Sequence, residues 1–431
     1  MMALERDDHS KDHFITPQQL CIGLHIHLDL SWMDHPFTFS SFKIKSLDQI
    51  ATLQSLGLER IRYSPSKSEA EPLAQPTGAI SAPPPPTLSK DDDPAYKAKR
   101  ERMQRLAAQR TRVNACEREF QTAAKAIKSI TQNLFARPKE SYEAARGLAE
   151  TMVESMLTEA DVAITLMNDK AGNEDVYFHS LNVAVLAMML AKELKAPAEA
   201  IKSLGVGALF HDIGKVEIPD KVVRKTDPLT HAEQQLMQQH VVYGLEIGKK
   251  LELSGEVMAV VAQHHEHADG SGYPRGLQGN QISLLARIVT IVNAYDNLCN
   301  PPNPAKAMTP HEALSVMYAQ QRAHFDANAL SVFIRCMGVY PPGSIVVLSN
   351  ETIGIVVSVN STRPLKPTLL VYDPAVPKEE AILVDLEQEP DVTVARTLKP
   401  QQLPRPVFDY LSPRRRVTYY FDAEPGGTGG T

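Results

Sequence analysis

His179, the pair His211–Asp212, His240 and the pair His264–His265 are the side chains of this sequence best suited to chemistry. Imidazole nitrogens and carboxylate oxygens are the donors that first-row divalent metals take. Because His211 and Asp212 are adjacent, one carboxylate can bridge two ions while its neighbour binds one of them. Two ions about 3.5–4 Å apart activate a water molecule between them and clamp a phosphate. The chemistry indicated is metal-assisted hydrolysis of a phosphate ester. A lone His-Asp dipeptide arises by chance and says little. Five His and one Asp in helical settings, followed by DGSGYP at 269–274, form a specific pattern.

Helices must position these donors. His179 lies in the amphipathic run YFHSLNVAVLAMML, and His211–Asp212 end the run ALFHDIGK. His240 lies in EQQLMQQHVVYG, and a further helix from about Leu284 holds Asn293 and Asp296 one turn apart. Two Ser/Thr-x-x-Glu capping boxes fix helix starts by satisfying free N–H groups: Thr230–Glu233, and Thr309–Glu312 with Pro310 at the first helical position. The Gly270–Pro274 loop beside the His pair reads, by itself, as a tight turn. Glycine allows close backbone approach and proline stiffens the loop.

The rest of the chain divides by pattern. Leu20, Ile22, Leu24, Ile26 and Leu28 alternate as in a strand. A second strand near Phe37–Ile44, a helix at Ser46–Leu56 and a strand at Glu59–Tyr63 make residues 14–64 a small α+β domain. Its His25, His27 and His35 read as core or surface residues. Residues 65–95, with Pro83 to Pro86 in a row, read as a Pro-rich linker. Residues 96–168 read as a helical connector. There Leu106, Val113, Phe120, Ile127 and Leu134 recur every seven residues, with Cys116, Ala123 and Ile130 beside them. A second helical segment runs over about 140–168. Residues 169–340 form a helical domain that carries the donors. Residues 341–400 read as a small β module on the runs Ile345–Leu348, Ile353–Val359 and Leu369–Tyr372, and 401–431 as a C-terminal tail ending in disordered EPGGTGGT.

Composition bounds the function. Across 431 residues, 43% hydrophobic and 22% charged content is that of an ordinary soluble globular protein. Lys plus Arg total 45 against 51 Asp plus Glu, and a net charge of −6 argues against a nucleic-acid polymer as partner. Four Cys without a CxxC pair exclude a disulfide scaffold and fit a reducing compartment. No stretch reads as a signal peptide or a membrane span, so the expected location is the cytoplasm, without membrane insertion.

HDIGK at 211–215 and HHEHADGSGYPRGL at 264–277 resemble the HD-GYP branch of the HD metal-dependent phosphohydrolases, over about residues 165–340. ITPQQLCIGLHIHLDLSWMDHPF resembles the small uncharacterised domain that often precedes it in bacterial signalling proteins. The resemblance implies a mainly α protein, an HD-type helical bundle with the small α+β domain before it and the β-rich module after it. It implies cyclic di-GMP as substrate, hydrolysed to pGpG and onward to GMP. It also implies two divalent ions, iron or manganese, with a third in some members. His179, His211 and Asp212 match the first-ion positions, with Asp212 bridging. His240, His264 and His265 match the second ion. Lys215 matches a lysine that neutralises a phosphate oxygen, and Asp269, Gly270, Gly272, Tyr273 and Pro274 match the substrate loop. Asp212, Lys215 and Asp296 are the catalytic set, with Asp296 a candidate proton donor.

One position departs from the family. ARIVTIVNAYDNL carries Asn293 where the family has a ligand Asp, so the first ion loses a negative charge. Asp175, one turn before His179, or Asp296 is expected to compensate. The alternative is a catalytically impaired protein that senses cyclic di-GMP or a partner such as a diguanylate cyclase. Its heptad helix could then pass the signal on, within a homodimer.

Overall fold

Apolar periodicity decides most of the elements. The computed structural model describes residues 13–30, 34–37, 39–74, 94–134, 136–157, 162–166, 175–360, 363–374, 376–378, 381–389, 391–413 and 419–423. These divide into two compact units. The expectations for Trp32, for the proline run at 83–86 and for the terminal glycine-rich segment lie outside the described residues.

The first unit comprises residues up to 110 with 348–352 and 371–383. Strands β1 (His13–Ile15), β2 (His25–His27), β3 (Ser41–Lys43) and β4 (Ile61–Tyr63) and helix α1 (Leu47–Ser55) build it. The sheet runs β1-β4-β2-β3, with antiparallel pairing throughout. Its core holds Leu20, Leu24, Ile26, Ile44, Leu53 and Ile61. The strand expected over Leu20–Leu28 shrinks to His25–His27. Gly23 takes φ +96 in a turn, and Ile22, one of the alternating residues, is left 49% exposed.

The second unit comprises 111–347, 353–370 and 384–431. After α2 (Pro94–Asn133) come α3 (Pro138–Leu157), β5 (Val162–Leu166), α4 (Asp175–Glu193), α5 (Ala198–Phe210) and α6 (Asp220–Val223). Then follow α7 (His231–Gln238), α8 (His240–Lys250), α9 (Gly255–Gln263), α10 (Leu284–Cys299), α11 (Pro310–Ala319) and α12 (Ala327–Met337). Both expected capping boxes form at the starts of α7 and α11. Helix α4 is apolar on every side and is the core helix: Leu181 and Val183 to Ala191 are all buried. It packs on α5, α10 and α12. In α2, Cys116, Phe120, Ala123, Ile127 and Ile130 of the heptad pattern are buried, as is Leu134 just beyond the helix, and Phe120 stacks on Phe178 at 5.5 Å.

The C-terminal strands are β6 (Ile345–Leu348), β7 (Ile353–Asn360), β8 (Thr368–Val371), β9 (Ile382–Asp385) and β10 (Val394–Leu398). Helix α13 (Arg405–Leu411) and strand β11 (Tyr419–Ala423) lie in the stretch expected to be a tail. The sheet path is β10-β6-β7-β5-β11. Residues 162–166, VAITL, thus form a strand rather than the end of a helix. Their β-branched side chains favour it, and β7 and β11 flank it on both edges. Among the described residues no helix is long and apolar enough to cross a membrane.

Candidate metal centre

Each donor is set by the end of a helix or by its buried face. His211 caps α5, and Asp212 sits at φ −99, ψ 11 before a 3-10 turn at Ile213–Glu217. Gly214 lets that turn lie directly on α8. A Cβ there would be 2.5 Å from Gly244 N and closer still to the His240 carbonyl. His240 opens α8, His264 caps α9, and His179 projects from the first turns of α4.

Two groups of donors result, with ligand atoms within 4.8 Å of one another in each: Asp212, His240, His264 and His265, and His179, His211 and Asp212. Asp212 belongs to both. Its Oδ1 faces Nε2 of His240 and His264 at 3.3 and 3.7 Å. Its Oδ2 faces Nε2 of His211 and His179 at 3.4 and 3.5 Å and accepts from Lys215 Nζ at 2.5 Å.

The tautomers are fixed from behind. Nδ1 of His211, His240 and His264 donates to the carbonyls of Ala208, Met237 and Val261 at 2.7, 2.6 and 3.0 Å. A neutral imidazole protonated on Nδ1 offers only a lone pair at Nε2. Yet His240 Nε2 lies 3.2 Å from His264 Nε2. Facing lone pairs at that distance repel unless a cation sits among them. Asp212 Oδ1 is buried and has no hydrogen-bond donor. The donor set therefore fits divalent ions.

The electrostatics agree. Burial opposes charge on Asp212, but the Lys215 ammonium and the neighbouring imidazoles hold its carboxyl well below the usual carboxylate range. Burial holds the His264 imidazole down at about 4 and pushes His240 and His265 below the ordinary value as well. His179 differs: burial opposes its charge, yet the Asp212 and Asp296 carboxylates raise it to about 9.

Asp296 stands behind the site rather than in it. Its Oδ2 meets Nδ1 of His179 at 2.5 Å, and its Oδ1 accepts from the side-chain amides of Asn182 and, at 2.8 Å, Asn300. With both oxygens engaged and only 2% exposure, it orients His179. That position does not suit the proton-donor role expected of it. Asn293 is buried, and its Oδ1 accepts from Asn297 at 2.8 Å. Asp175 opens α4, and its side chain lies outside the described residues.

The Gly270–Pro274 loop is built on the backbone of the His pair. Tyr273 N–H donates to the His265 carbonyl at 3.0 Å, and its ring stacks on His265 at 4.6 Å. A Cβ on Gly272 would lie 2.6 Å from Glu266 Cα and closer to His265 O and His267 N. Gly270 takes φ +82. Asp269 closes a local turn by accepting from Ser271 N and Oγ at 2.9 and 2.6 Å.

Three contributors escape a reading by donor type. Glu266 is 1% exposed and accepts from the N–H groups of Arg275 and Leu277 at 2.7 and 2.8 Å, which pins the loop. Asn182 holds Asp296. His324, without a partner in the linear sequence, stacks on His267 at 4.3 Å beside the loop.

Comparison with known proteins adds the following. Residues 151–329 match an HD domain, 13–145 a domain of unknown function, and 345–405 a KOW domain associated with the HD domain. A cyclic di-GMP phosphodiesterase of Pseudomonas aeruginosa is 29% identical over 363 residues, 83% of this chain and 84% of that one. The cyclic di-GMP phosphodiesterase response regulator RpfG of Xanthomonas campestris is 36% identical over 35% of this chain and 40% of its own. A 3′3′-cGAMP-specific phosphodiesterase of Vibrio cholerae is 31% identical over 48% and 47%.

Proposed function

We propose that this chain, an HD-domain protein, is a metal-dependent phosphodiesterase of cyclic dinucleotides, with cyclic di-GMP as its substrate and an HD-GYP type of site. The observation that carries the reading is Asp212, one carboxylate set between two groups of imidazoles. His179 and His211 would hold one ion, His240, His264 and His265 the other, and Asp212 both. Imidazole donors suit iron, and the family resemblance adds manganese as the other candidate. Bound ions would neutralise phosphate charge and lower the pKa of a water nucleophile.

The chain's own groups do the rest. Lys215, held on Asp212 and 30% exposed, presents an ammonium to a phosphate oxygen, where charge grows as the diester is attacked. Asp296 keeps the His179 proton on Nδ1, so that Nε2 faces the site. The loop from Asp269 to Pro274 shapes the mouth, with Tyr273 fixed over His265. The relatives that act on cyclic di-GMP support the substrate class, and the Vibrio relative brings in 3′3′-cGAMP as a competitor.

The test is direct. Protein purified without oxygen and loaded with iron or manganese is incubated with cyclic di-GMP and, separately, 3′3′-cGAMP, and linear products are resolved by chromatography. Wild type is expected to make pGpG, and Asp212→Ala none. Metal-loaded wild type that binds cyclic di-GMP without cleaving it would replace this reading with the sensor one.

A further inference from the structure

We propose that Asn182 is a positioning residue that ties strand β11 to His179, so that a segment outside the HD domain completes the metal centre. This rests on the metal-centre reading above. The link is continuous. Tyr419 N–H donates to Asn182 Oδ1 at 2.8 Å, Asn182 Nδ2 donates to Asp296 Oδ1, and Asp296 Oδ2 meets His179 Nδ1 at 2.5 Å. His179 Nε2 then faces His211 and Asp212. Tyr419 lies beyond both the HD match, which ends at 329, and the KOW match, which ends at 405.

Chemistry explains why an amide stands at 182. One end must donate to a carboxylate, and the other must accept from a backbone N–H. Only one orientation of Asn182 satisfies both, so the network fixes the flip. An Asp could not donate to Asp296 and would set a like charge beside it. A Leu could do neither. Asn182, Asp296 and Tyr419 are all buried, so water does not substitute for a lost partner. A second tie runs parallel: Tyr419 OH bonds Tyr295 OH at 2.7 Å, next to Asp296 on α10, and reaches the Pro342 carbonyl at 3.2 Å. Freed of Asn182, the Asp296 carboxylate keeps one amide donor, Asn300, and can rotate. His179 would rotate with it.

The experiment titrates Mn²⁺ into the metal-free full-length protein by calorimetry, with thermal unfolding recorded alongside. Asn182→Leu is expected to bind Mn²⁺ about 10–100-fold more weakly, the usual effect of losing a partner behind a metal ligand. Val346→Ala, a core truncation in β6, controls for lost stability: it lowers Tm and leaves Mn²⁺ affinity in place. The strand's part is isolated at Tyr419, the first residue of β11, where proline is tolerated. Tyr419→Ala and Tyr419→Pro lose the same side chain, but only proline loses the N–H. Pro is expected to bind Mn²⁺ about fivefold more weakly than Ala, the worth of one hydrogen bond. Should Asn182→Leu not fold, Asn182→Ser replaces it with the same expectation. Wild-type affinity in the Asn182 variant, or equal affinity in the two Tyr419 variants, overturns the proposal. Wild type that binds no Mn²⁺ overturns the metal-centre reading itself.

Discussion

Replacing Gly272 by Ala puts one methyl group where the loop has no room. The added Cβ would lie 2.6 Å from Glu266 Cα, against an ordinary contact of 3.4 Å or more. The loop must therefore move away by at least about 0.8 Å, because the neighbours are backbone atoms held by the end of α9. Tyr273 is the next residue and moves too, loosening its N–H bond to His265 and its stack on that ring. Overpacking of this kind costs about 1–3 kcal/mol, and a misplacement near 1 Å at a reacting centre costs about 100-fold in rate. The expected result is turnover of cyclic di-GMP down about 100-fold and a Tm lower by a few degrees, with bound metal unchanged. Gly147→Ala in α3 is the control. Nothing lies within 4 Å of its added Cβ, and alanine in a helix gains about 0.5–1 kcal/mol over glycine. Wild-type kcat/KM and Tm in Gly272→Ala would refute the idea that loop and His pair share one rigid backbone.

Two other outcomes are expected. Glu266→Ala leaves the N–H groups of Arg275 and Leu277 without their side-chain acceptor; kcat/KM should fall about 10–100-fold while metal content stays constant, and Glu266→Gln should recover only part, since its amide nitrogen cannot accept; full recovery by Gln contradicts the pinning role. His25 is held down at about 4, first by burial and then by the His27, Lys67 and Lys43 charges, against 6.5 unfolded. Between those values the unfolded chain takes up a proton that the folded unit refuses, so this stability is present above pH 6.5 and is lost as pH falls toward 4. The loss is at most about 3 kcal/mol; His25→Gln should flatten the change in urea midpoint between pH 7.5 and 5, and identical slopes in the two proteins would count against it.

The candidate metal donors were legible by residue type and by the apolar helical runs that carry them, whereas the break at Gln239 that makes His240 open α8 was not. Asp212, His240 and His264 follow or open apolar helices with clear periodicity, and the Thr230 and Thr309 caps form where the pattern puts them. Roles that depend on a partner were not legible. Asp296 looks like a ligand in the linear sequence, but its geometry gives it to Nδ1 of His179. Asn182 is one polar residue in an apolar helix, and its meaning depends on Tyr419, 237 residues away. Strand β5 was read as helix because its partners, β7 and β11, come nearly 200 residues or more later. A five-residue apolar run carries no period long enough to choose between strand and helix.

That strand also sets an order of events. β5 lies between α3 and α4 in the chain, yet it pairs Ala163 with Asn360 on one side and Leu166 with Tyr419 on the other. Helices α4, α5 and their neighbours can condense while the chain is still being synthesised. Their contacts are close in sequence, and such contacts form fast. β5 must wait for β7, ending at residue 360, to close one edge and for β11, ending at residue 423, to close the other. During that interval the nascent protein carries an apolar strand with an open edge, an invitation to aggregate or to engage a chaperone. Translation speed through residues 340–420 therefore becomes a variable in how much correctly closed protein a cell obtains.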